Sequence, residues 1–83
     1  MTTFTIREIE RRTDEGDPQY EVWVNAGRIT PGWYYDSAQQ YIAEASAPGD
    51  VIIEDSLGYE PIVMSYSEWW EDYEATLAFE RGD

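Results

Sequence analysis

The chain carries 18 Asp and Glu against five Arg across 83 residues, with no Lys, His or Cys, for a formal net charge of -13. That inventory excludes disulfides, zinc and haem ligation by Cys or His, thiol nucleophiles and imidazole bases. At this length a single domain spanning residues 1–83 with a thin core is expected.

Phe4 and Ile6 alternate with Thr3, Thr5 and Arg7, the period of a half-buried strand, and Ile9 falls out of phase as at a bulge. A strand over about residues 2–11 follows. Thr13-Asp14-Glu15-Gly16-Asp17-Pro18 is a dense turn signal, and Tyr20, Val22 and Val24 then alternate with Glu21, Trp23 and Asn25 as a second strand. Gly27 to Gly32, around Pro31, predicts a break. Asp36 or Ser37 can cap a helix whose apolar stripe is Ala38, Tyr41, Ile42 and Ala45.

Val51, Ile52 and Ile53 predict a strand at the centre of a sheet, and Pro61 to Met64 its return after a turn over residues 54–60. Ser65-Tyr66-Ser67-Glu68 has the capping-box spacing, so a second helix begins there, with Tyr66, Trp70, Tyr73 and Leu77 inward, Trp69 flanking, and Gly82 as its stop. The expected fold class is a small α+β domain: a four-stranded antiparallel sheet with two helices, in the order β-β-α-β-β-α.

Several chemical readings compete. Asp55-Ser56-Leu57 resembles the phosphopantetheine attachment motif of acyl carrier proteins, but Gly58 and Pro61 forbid the long helix which that serine opens. Asp14, Glu15 and Asp17 lack the spaced ligand series of a calcium loop, so neither a metal nor a cofactor is expected. Paired carboxylates serve glycosidases, yet among 18 acids close pairs arise by chance and a domain of this size has little room for a substrate cleft, so no enzyme is expected.

Charge placement is more informative. Residues 1–28 hold six acids and four Arg, whereas residues 29–83 hold twelve acids and only Arg81. Such a field repels nucleic acid and anionic membranes, and the longest apolar run is three residues, so the expected partner is a basic protein and the expected location the cytoplasm. Glu68, Glu71, Asp72 and Glu74 crowd one stretch of the second helix at spacings that destabilise it. Carboxylates about 5–6 Å apart along a helix ridge approach the charge density of a nucleic-acid strand, about one phosphate per 3.4 Å of rise. Glu54, Asp55 and Glu60 are expected to assist them.

Aromatic residues are 16% of the chain, so disorder is not expected, and Trp33-Tyr34-Tyr35 is the candidate apolar contact patch. The alternative is an acidic housekeeping or salt-adapted domain that self-associates, or binds a protein, through those three residues, as monomer or homodimer.

In type, the chain resembles the small acidic phage proteins that disable bacterial defence, the anti-CRISPR inhibitors and DNA mimics. Met1-Thr2-Thr3-Phe4-Thr5 and Tyr20-Glu21-Val22-Trp23-Val24-Asn25-Ala26-Gly27 are similar to parts of an inhibitor of a type I system. The resemblance implies a non-catalytic inhibitor that places carboxylates where phosphates sit on a nucleic-acid-binding protein, such as a CRISPR effector complex.

Overall fold

Alternation in the N-terminal half builds a three-strand meander. In the computed structural model, which describes residues 1–82 with the side chains of residues 30–32 outside that description, β1 is Thr3–Arg12, β2 is Pro18–Val24 and β3 is Gly27–Trp33. The register of β1 on β2 shifts between Ile9 and Arg12, where the apolar phase breaks. Asn25, at φ 55°, turns the chain from β2 into β3, a left-handed position that Asn tolerates. Its side-chain Oδ1 accepts from the Thr3 N–H at 3.0 Å.

The expected break over residues 27–32 is corrected: it is a strand. Pro31 lacks an N–H, which an edge strand does not need on its outer side, and β3 is an edge of the sheet, joined to β2 with two register shifts. From its end the chain enters α1 (Tyr35–Ala45) with Tyr34 as N-cap and no side-chain cap bond, so neither Asp36 nor Ser37 caps it. Then follow β4 (Val51–Asp55), β5 (Ile62–Ser65) and α2 (Tyr66–Arg81).

The sheet has five strands in the order β3-β2-β1-β4-β5. It is mixed, because β4 runs parallel to β1 while every other neighbouring pair is antiparallel. The expectation of four antiparallel strands is therefore corrected in number and direction. α1 carries the chain from β3 back to the free edge of β1, and such a crossover delivers a parallel strand. β4 is an inner strand: Ile52 is fully buried, with Val51 and Ile53 half-buried on the opposite face.

Phe4, Ile6, Val22 and Ile52 point to one face of the sheet and meet Ala38 and Ile42 of α1 and Trp69 of α2. These seven residues are the buried hydrophobic core, and both helices pack on this face. Trp69, expected beside the stripe of α2, is its anchor: only 1% of it is exposed and its ring stacks on Tyr73 at 5.0 Å. Trp70 meets Tyr73 edge-on at 5.5 Å. The Ser65 hydroxyl accepts from the Glu68 N–H at 3.3 Å, and Gly82 ends α2 at φ 77°. No helix is long and apolar enough to cross a membrane.

Candidate functional site

Two sets of acids stand in contrast. Asp50, Glu21, Glu8, Glu54 and Asp55, on the strands and at the start of β4, are engaged, whereas Glu10 of β1 is exposed. Asp50, at the entrance to β4, accepts the Thr2 N–H on Oδ1 and the Ala47 N–H on Oδ2, each at 2.9 Å. Those backbone bonds, Thr2's foremost, hold its carboxyl below the usual range. Glu21 accepts the Trp23 indole N–H at 3.0 Å and pairs with Arg28 at 3.1 Å, and the indole bond leads in lowering its pKa. Asp55 pairs with Arg7 at 3.2 Å, and Glu8 with Arg12 at 3.4 Å.

Adjacent strand residues point to opposite faces, which separates two of the expected contact acids. Glu54 lies on the helix-covered face and accepts the Tyr35 hydroxyl, whereas Asp55 lies on the bare face with Arg7. Burial, followed by the Glu54 bond and charge, drives the Tyr35 pKa far above its usual value. Tyr20, packed on Tyr35 at 5.2 Å, is raised as well, chiefly by burial and then by Glu8. Both hydroxyls therefore stay protonated, and that of Tyr35 acts as a fixed donor to Glu54. Glu60 is exposed in the β4–β5 turn.

The α2 acids are the second set. Glu68, Glu71, Asp72 and Glu74 are all exposed. The ion pairs of Arg7, Arg12 and Arg28 are made with Asp55, Glu8 and Glu21, none of them an acid of α2. Among the described residues no hydrogen bond ends on any of these four carboxylates, the bonds at Glu68 and Asp72 being made by their backbone groups. The inward packing of Trp69 and Tyr73 fixes the rotation of the helix and turns the acids to solvent. The structure thus brings Glu68, Glu71, Asp72 and Glu74 together on one helix, with Glu54 and Asp55 held elsewhere by their own partners.

Trp33-Tyr34-Tyr35 does not form one patch. The three straddle the end of β3 and the start of α1, so their side chains diverge. Trp33 packs on Tyr41 at 5.7 Å, Tyr35 turns inward to Tyr20 and Glu54, and only Tyr34 is exposed, at 55%. Tyr34 lines an open cleft of 420 Å³ with Arg11, Arg12 and Gln19.

A surface missed by the sequence reading is the bare face of the sheet. Cross-strand partners place Arg28, Trp23, Thr5, Ile53 and Val63 in one continuous row across all five strands. The Arg7 guanidinium lies 5.4 Å from the Trp23 ring centre. Strand alternation held the signal for this row, but only with the strand order known.

Among the described residues no three acids cluster closely enough to hold a metal ion. Comparison with known proteins returns no matching family model, no similar curated protein and no similar solved structure.

Proposed function

We propose that the protein is a stoichiometric, non-catalytic inhibitor that covers the basic nucleic-acid-binding surface of a target protein in the cytoplasm. The observation that carries this reading is the set of four exposed, unpaired acids on α2, Glu68, Glu71, Asp72 and Glu74. Their spacing costs helix stability, and the chain spends none of its strand arginines to offset it. Arginines of the target would pair with these carboxylates bidentately, as they do with phosphates. Glu60 extends the same field. By resemblance of type, the target is a nucleic-acid-binding component of a bacterial defence system, with a CRISPR effector complex as the leading example.

Charge steering makes association fast and salt-sensitive. The test is capture of the target from a nuclease-treated host lysate at low salt, followed by competition between this protein and duplex DNA for the captured target. The expected result is one-to-one displacement of DNA, with affinity falling steeply between about 0.05 and about 0.5 M NaCl. DNA binding that continues undisturbed in a saturated complex would overturn the proposal.

A further inference from the structure

One side of α1 carries Ser37, Gln40, Tyr41 and Glu44, spaced i, i+3, i+4 and i+7. With Trp33 at the end of β3, these residues line an open cleft of 310 Å³. The Trp33 and Tyr41 rings lie 5.7 Å apart and tilted at 51°. The cleft therefore joins aromatic surface to three oxygen acceptors, the Ser37 hydroxyl, the Gln40 amide and the Glu44 carboxylate. The groove between the helices is lined on α1 by Asp36, Gln39 and Gln40, so the cleft at Trp33 is a separate feature from the acidic ridge of α2.

The lining selects the charge of its occupant. Glu44 is the single charged residue of the cleft and is exposed, and among the described residues no ion pair or hydrogen bond ends on its carboxylate. The cleft at Tyr34, by contrast, sets Arg11 and Arg12 beside Asp14 and Glu15 and favours neither sign. Tyr41 and Glu44 are one helical turn apart, which puts their Cβ atoms about 5–6 Å from each other. One planar cation can therefore meet both: a ring face attracts it, and the carboxylate accepts its N–H groups in pairs. A guanidinium suits this arrangement better than an ammonium, because it lies flat on a ring and carries five donors. Trp33 adds a demand of its own. Its indole N–H is buried and has no acceptor among the described residues, and a carbonyl of the peptide that carries the cation can supply one.

We propose that this cleft receives an arginine side chain of the partner, held by the Trp33 and Tyr41 rings and the Glu44 carboxylate. This rests on the reading of a basic partner and gives that partner a second anchoring point, outside α2.

The probe is N-acetyl-arginine-N-methylamide, compared with its citrulline counterpart, which has the same shape without the charge, and with its lysine counterpart. Binding is followed by amide and indole N–H resonances, with the Trp33 indole signal assigned through Trp33→Phe. The arginine probe should shift that signal and the amides of residues 37–44, and should bind about tenfold tighter than the citrulline probe, as a cation–π contact and one charge pair together provide. Glu44→Gln, on the exposed side of the helix, should reduce that preference to about threefold. Glu10→Gln removes the same charge from β1 and should leave the preference unchanged. Equal binding of the arginine and citrulline probes, a lysine probe that binds as tightly, shifts confined to other residues, equal losses in the two variants, or a doubled mass in the absence of probe would each overturn the proposal. Failure of the decoy reading shows separately, as target binding that ignores neutralisation of the α2 acids.

Discussion

Asp50, Glu21, Glu54 and Asp55 each accept a hydrogen bond or hold an arginine, whereas Glu68, Glu71, Asp72 and Glu74 do neither. The first set tethers the N-terminus, the β2–β3 ladder and the α1 entrance to the sheet. The second set repels itself on a helix held by the packing of Trp69 and Tyr73, by the Ser65 cap and by the bond from the Tyr66 N–H to the Asp50 carbonyl. One residue type therefore serves cohesion on the strands and an outward field on α2. The lesson is that net charge conceals the division: Arg7, Arg12 and Arg28 are matched to acids of the strands, and the four α2 acids are turned to solvent.

The comparison breaks most severely at the aromatic anchor. Trp69→Ala should cost about 3–5 kcal/mol, a large part of the total stability of a domain this small, and denaturant unfolding should show it. Without that anchor the rotation of α2, and with it the acidic ridge, is lost.

Asp50 sharpens the cohesive side. Its native pKa lies below the unfolded value of about 3.9, so its contribution is fully present above that pH and is lost as pH falls through the native pKa. Asp50→Ala should lower stability at neutral pH, and the gap between variant and wild type should close on acidification below about pH 4, followed by unfolding at stepped pH.

Tyr35→Phe removes the donor to half-buried Glu54 and should cost about 1–2 kcal/mol by the same measurement. Joint neutralisation by Glu68→Gln, Glu71→Gln, Asp72→Asn and Glu74→Gln has the opposite sign. Relief of like-charge pairs, partly offset by the lost attraction of Glu68 to the helix N-terminus, should stabilise the fold by up to about 1 kcal/mol. A loss of stability there would place those acids in the cohesive set. The smallest effect is expected of Val63→Lys on the bare edge, within about 0.5 kcal/mol of wild type.

Much of this fold is legible in local signals. The turn at Thr13 to Pro18, the Ser65 cap and the Gly82 stop all act where the chemistry of a few residues places them. β3 is not legible, because Gly27, Pro31 and Gly32 suit a loop and an edge strand alike, and only the neighbour on one side distinguishes the two. Hydrophobic alternation carries no information about which strand lies beside which, so the parallel pairing of β1 with β4 was out of reach. On α2, Trp69 and Trp70 are sequence neighbours of equal apolarity, and tertiary contact with the sheet decides between them. The opposed faces of Glu54 and Asp55 follow from strand period alone, and that signal was present in the sequence. The α2 acids were legible because helical spacing and cap fix which side they share.

The central claim is that position, and not total charge, gives the acids of α2 their role. The direct measurement is the affinity of the captured target for three proteins: wild type, the α2 variant with Glu68, Glu71, Asp72 and Glu74 neutralised, and a control with Glu10, Asp14, Glu15 and Asp17 neutralised in the same way. The account predicts a loss of about tenfold or more and a flatter salt dependence for the α2 variant alone. Equal losses in both variants, or none in either, would contradict it.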